Sequence, residues 1–186
     1  MTLIDWQVRK AGLGDITRIT GLAKNYDSFL MPYILNEYIV GNYLDQFLVA
    51  EKEGIVGGAV HYIDKVECRT GLPASDKADC FLYYVKQVPE SIILEFTSNQ
   101  SKTAFLGQIV CPGKGSFYAI LEELKKQYDE LWCWMSVAGP SYSSYERYGF
   151  TFIEERTFWN VYKCDYSTFT LGKWKKEVTN GVSKVG

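Results

Sequence analysis

Between Ile109 and Leu121 the chain reads Ile-Val-Cys-Pro-Gly-Lys-Gly-Ser-Phe-Tyr-Ala-Ile-Leu, an apolar strand that enters a glycine-rich turn and leaves as an amphipathic helix. Such a turn leaves several backbone N–H groups unpaired at the start of the helix, where the helix dipole adds partial positive charge. A phosphate or pyrophosphate is the natural occupant. Gly113 and Gly115 would let it approach the backbone, and Lys114 could add a point charge. The competing reading of this segment is a tight turn with no ligand. The P-loop pattern is absent, because no Gly-Lys-Ser/Thr ending stands at the required spacing.

The rest of the chain supplies a mixed α/β pattern. Trp6 to Arg9 alternates as a short strand, and Asp15 stands where an N-cap belongs before a helix carrying Ile16, Ile19, Leu22 and Ala23. A second helix is expected from Pro32 to Asn42. Residues 47–50 and 55–62 read as a hairpin closed by Glu51 to Gly54. Residues 64–90 carry loop-like punctuation and are expected to be an insertion or a long substrate-side loop. Strands follow at 91–96 and 103–110, then the helix 116–128. The strand 131–137 is nearly all apolar, as when both sheet faces are covered. A turn and helix over 138–148 ends at Gly149, and residues 150–166 add one or two strands. Residues 167–186, with four Lys against one Glu, are expected to be a peripheral tail. This order predicts one domain over 1–166, a mixed sheet with helices on both faces.

Charge and cysteine content narrow the partners. A formal net charge of −2 argues against binding dominated by nucleic-acid phosphates. Five Cys, an odd number with no Cys-x-x-Cys pair, fit free thiols in a reducing, cytoplasmic compartment. One His in the whole chain leaves no Cys/His zinc set, so no metal is expected. No apolar run approaches the roughly 20 residues that span a bilayer.

Leu131-Trp-Cys-Trp-Met-Ser-Val137, followed by Ser144-Tyr145-Glu146-Arg147-Tyr148-Gly149-Phe150, resembles the C-terminal half of the GNAT N-acetyltransferases. In that family a central strand leads to a helix ending Tyr-Glu-Lys-x-Gly-Phe; here Arg147 replaces Lys. Gly113-Lys114-Gly115 falls where the family places its pyrophosphate loop, and Val110-x-Pro112 matches the strand end before it. Val8 to Ala11, with Asp15 and Ile19, resembles the family's opening strand and helix.

The resemblance implies a mixed, mostly antiparallel central sheet. It implies acetyl-CoA as cofactor, bound by Val110 and by the backbone of Gly113, Lys114, Gly115 and Ser116. The pantetheine arm would run between the strands at 105–110 and 131–137. It implies direct acetyl transfer to an amine, borne by a small molecule or a protein, with Tyr145 returning a proton to the thiolate. The other reading of Tyr145 is an aromatic plug between helix and sheet. Candidate bases for the amine are Glu95 and His61, the latter being the one group with an unperturbed pKa near neutrality. The loop departs from the family pattern at Pro112, where Arg or Gln is usual, and at Phe117, where Gly or Ala is usual. Residues 128–150 also resemble small GNAT-like phage proteins, some carried in the virion. The alternative to an enzyme is therefore a GNAT-like structural or interaction module, such as a virion component; on either reading the resemblance allows a homodimer, since family members often dimerise.

Overall fold

The computed structural model describes residues 6–25, 35–64, 88, 92, 101–138, 142–160 and 163–177. Their seven strands are β1 (Gln7–Lys10), β2 (Phe47–Lys52), β3 (Ile55–Asp64), β4 (Thr103–Val110), β5 (Glu130–Ser136), β6 (Thr151–Asn160) and β7 (Asp165–Lys175). They form one sheet in the order β1-β2-β3-β4-β5-β7-β6. Every neighbouring pair is antiparallel except β4 and β5, which run parallel. The helices are α1 (Ile16–Lys24), α2 (Glu37–Asn42), α3 (Ser116–Gln127) and α4 (Tyr142–Arg147).

The two faces of the sheet carry separate cores. On one, Ile120, Leu121 and Leu124 of α3 and Tyr145 of α4 pack on Leu48, Val60, Leu106, Leu131 and Cys133. On the other, Ile19 and Ala23 of α1 and Ile39 and Val40 of α2 pack on Phe47, Val49, Ala59 and Val110. Helices thus cover both faces, as the alternating pattern of elements predicts. No helix of the described residues is long and apolar enough to cross a membrane.

Local chemistry explains the junctions. Glu53 and Gly54 both have positive φ (51° and 79°), which closes the β2–β3 hairpin as a type I′ turn. Gly149, at φ 82°, ends α4, and the Phe150 N–H donates to the Tyr145 carbonyl across it, a Schellman stop. Asp15 departs from its expected role. Its carboxylate accepts from the Gly12 N–H at 2.8 Å and from Arg9, leaving α1 without a side-chain cap. Arg9 also bonds Glu51, so one guanidinium ties β1, β2 and the entry to α1 together.

The helix expected over 32–42 is described from Glu37, with Asn36 capping it through a bond from the Ile39 N–H. The expected loop at 64–90 lies outside the described residues apart from Asp64, which ends β3, and Val88. Of the strand expected at 91–96 only Ile92 is described, and it is helical.

The C-terminal expectation is corrected. Residues 167–175 are no tail: they belong to β7, which lies inside the sheet between β5 and β6. Phe169 and Leu171 alternate with Thr168, Thr170 and Gly172 and are buried, the period of a strand. The lysines have partners too. Lys173 and Lys175 stand 3.4 and 3.6 Å from the buried Glu130 carboxylate.

Truncating Leu171 to Ala should therefore cost about 2–5 kcal/mol, as for a buried core leucine. Urea unfolding measures it; a loss under about 0.5 kcal/mol would place this segment outside the core.

Candidate functional site

The site begins with one extra residue in β4. Val60 pairs with Ile109 and Tyr62 with Leu106, so Gly107 and Gln108 together face the single residue His61. This is a bulge, which bends its strand. Pairing between β4 and β5 runs only from Thr103↔Glu130 to Leu106↔Cys133. Beyond it β4 continues to Val110 against β3, and β5 continues to Ser136 against β7. The two parallel strands part at their carboxyl ends, where ligands bind in open α/β sheets.

His61 holds the bulge. Its side chain is fully buried, and its Nε2–H donates to Gln46 Oε1 at 2.8 Å. Tyr43 and Phe47 flank the ring, with centroids 6.2 and 5.2 Å away. A Cβ at position 107 would stand 2.5 Å from Nδ1, so only glycine fits opposite it. Burial penalises the imidazolium and lowers the pKa to about 3. His61 is thus neutral at physiological pH and a weak proton acceptor. Glu95, the other candidate base, lies outside the described residues.

β4 leads into the glycine turn. The Gly113 N–H donates to the Gly57 carbonyl at 2.8 Å and the Ser116 N–H to the Gly113 carbonyl at 2.9 Å. Ser116 Oγ, fully buried, donates to the same two carbonyls at 3.1 and 2.7 Å. The Gly113 N–H is therefore taken by β3 and the Ser116 N–H by the turn itself, against the expectation that they face a phosphate. Among the described residues, the amides of Lys114, Gly115, Phe117 and Tyr118 donate no backbone bond. Four donors thus stand open at the start of a 12-residue helix, a suitable anion cradle. Val110, the last residue of β4, turns its side chain into the α1–α2 core.

Tyr145 is buried on α4. Its ring meets Phe117 in the first turn of α3 at 5.6 Å and Phe150 at 5.4 Å, both edge to face. Phe117 also meets Tyr148 at 5.9 Å. The structure thus brings Tyr145 and the start of α3 together, and it leaves His61 on the far face of the sheet. Reading the sequence missed the bulge and Trp6, whose indole Nε1–H donates to the Lys114 carbonyl at 3.1 Å. The glycines at 57, 113 and 115 that admit the ring were its one visible trace. Among the described residues no three His, Cys, Asp or Glu side chains gather as metal ligands would.

No protein-family model and no curated protein matches the sequence. Solved structures do match in shape. A polyamine N-acetyltransferase of Drosophila melanogaster superposes with a TM-score of 0.59 at 10% identity, over 92% of this chain and 100% of that one. A ribosomal-protein-alanine N-acetyltransferase of Brucella melitensis gives 0.58 at 13% identity, over 91% and 99%. An acetyltransferase of the GNAT family from Streptococcus pneumoniae gives 0.59 at 12% identity, over 93% and 100%. The chain has the GNAT fold, as its sequence resemblance implies.

The buried imidazole makes stability depend on pH. Its folded pKa, about 3, lies below the ordinary 6.5, so the unfolded chain binds the extra proton between those values. This contribution is complete above pH 6.5 and is lost as pH falls, by up to about 1.4 kcal/mol per unit. Urea unfolding at pH 7 and pH 5 should show His61→Gln with the shallower dependence. Equal slopes would contradict the enclosed, neutral ring.

Proposed function

We propose that the chain is an acyl-CoA-dependent N-acyltransferase, passing an acetyl group directly to an amine on a small molecule or a protein. The observation that carries the reading is that β4, unpaired with β5 beyond Leu106, leads directly into a turn where four amides at the start of α3 donate no backbone bond. The GNAT shape supports it.

The residues fit the cofactor in kind. Acetyl-CoA, when bound, supplies an activated acyl thioester. The amides of Lys114, Gly115, Phe117 and Tyr118 would hold its pyrophosphate, with the exposed Lys114 ammonium adding positive charge. The facing edges of β4 and β5 would offer backbone donors and acceptors to the pantetheine amides. Tyr145 Oη would hand a proton to the leaving sulfur, as a positioned general acid.

A second reading, a GNAT fold kept as an interaction module such as a virion component, is favoured by one observation. The β6–β7 hairpin exposes Trp159 and Tyr166, which meet edge to face at 5.5 Å, the latter exposed at 74%, and an exposed apolar patch can mark a partner surface. Recovery in a large particle, with no response to acetyl-CoA, would establish this reading.

A thermal-shift titration with acetyl-CoA decides between them. Ligand at about 100 times its dissociation constant should add roughly 2.7 kcal/mol of stability. Tyr145→Phe keeps the ring and loses the proton, so it should bind acetyl-CoA normally and turn over about a hundredfold more slowly. A flat titration of the wild-type protein would refute the enzyme reading.

A further inference from the structure

Trp6 stands immediately before β1, and its ring lies against the end of the β2–β3 hairpin and the glycine turn together. A methyl at Gly57 would overlap the six-membered ring. One at Gly113 would stand 3.0 Å from two of the ring's atoms and 2.7 Å from the Gly57 carbonyl. Space for the indole therefore depends on glycine at both positions. Packing alone would be satisfied by any aromatic ring, yet the indole nitrogen is also used, in its bond to the Lys114 carbonyl at 3.1 Å.

That carbonyl occupies a particular place in the turn. Residues 113–116 are closed by the Ser116 N–H donating to the Gly113 carbonyl. Gly115, in the third position, has φ 84° and ψ −6°, and Lys114 has no positive φ. This is a type II turn. Types I and II differ in the direction of their central peptide, which here joins Lys114 to Gly115. In a trans peptide the carbonyl and the N–H point to opposite sides. A bond that holds the Lys114 oxygen towards the indole therefore aims the Gly115 N–H away from it, as an open donor.

We propose that Trp6 is a positioning residue for diphosphate binding: its indole N–H locks the central peptide in the type II direction and so presents the Gly115 amide to the ligand. The inference rests on the acetyl-CoA reading above. It adds that the first residues of the chain set the affinity of a turn 108 positions away in sequence. Without the indole donor the same four residues can flip to the type I direction, which turns the Gly115 N–H back towards the ring.

The test compares wild type with Trp6→Phe, which retains an aromatic ring and removes the donor, using two probes. Acetyl-CoA carries the diphosphate; S-acetylpantetheine lacks it. By calorimetry, Trp6→Phe should bind acetyl-CoA roughly tenfold more weakly, the worth of about one hydrogen bond to a charged group. Its affinity for S-acetylpantetheine should match the wild type. In amide NMR spectra the Gly115 resonance should move in the unliganded variant. Equal acetyl-CoA affinity for the two proteins, or equal weakening for both probes, would overturn the proposal and leave Trp6 a packing residue. Failure of the wild type to bind acetyl-CoA would instead remove the cofactor reading, and this inference with it.

Discussion

The architecture of the site depends on a single surplus residue in β4. A parallel pair normally keeps its hydrogen bonds to the ends of both strands, because each buried backbone group left without a partner costs about 1–3 kcal/mol. Here β4 follows β3 past the bulge at Gly107 and Gln108, while β5 follows β7, and the shared pairing ends at Leu106 and Cys133. The groups along the facing edges then need water or a ligand. His61 lets the bend persist. Its ring fills the place where a side chain at 107 would stand, and Gln46 satisfies its Nε2–H. A cationic side chain in that enclosed place would carry a heavy desolvation penalty, whereas a neutral imidazole carries little.

The turn that closes the gap is anchored on the β3 side. The Gly57 carbonyl receives both the Gly113 N–H and the Ser116 hydroxyl. Gly58, next along, faces Ser116 Oγ and Cys111 Sγ so closely that a methyl there would stand 2.5 and 2.8 Å from them. Two successive glycines in β3 thus make room for the start of α3 at Gly58 and for the Trp6 ring at Gly57, and both pack into the core on the α3 face. The Cys111 thiol, held near the Ala59 carbonyl, is pushed by burial up to about 12. It behaves as a small packing group, and the direct transfer proposed above would need no nucleophile.

Periodicity made most of this fold readable. The apolar run of β5, the amphipathic α3 and the stop at Gly149 each carry a local signal, and local signals survive into the structure when they agree with their surroundings. β7 carried one too, in the alternation from Thr168 to Trp174, but its lysines suggested solvent. Their partner, Glu130, lies on another strand and cannot be inferred from spacing. The bulge left a single local trace, Gly107, since a lone glycine inside a strand can mark a bulge; its partner His61 lies on another strand. Asp15 was placed at the right boundary with the wrong bond, since its strongest partner, Arg9, comes from the strand before. What stayed hidden was in each case long-range, and in the turn it was decisive. The open donors are those of Lys114, Gly115, Phe117 and Tyr118, while the Gly113 amide is bonded to β3 and the Ser116 amide within the turn.

That rearrangement bears on the two departures from the family loop. An anion at the start of a helix is held by amides, which every residue but proline supplies, so a side-chain change matters only where the side chain enters the cradle. Phe117 keeps its amide open while its ring packs edge-on against Tyr145 and Tyr148. The large residue is accommodated by α4, and it joins the turn to the helix that carries the proposed proton donor. Pro112 is exposed and replaces a residue that could have given a charged or amide side chain. It also has no N–H to donate, one position before an amide already bonded to Gly57. On the acetyl-CoA reading proposed above, the loop would rely on backbone donors and Lys114 where the GNAT pattern has a side chain. On that reading the direction of each peptide in the turn, and of the Lys114–Gly115 peptide above all, would decide whether a diphosphate is held.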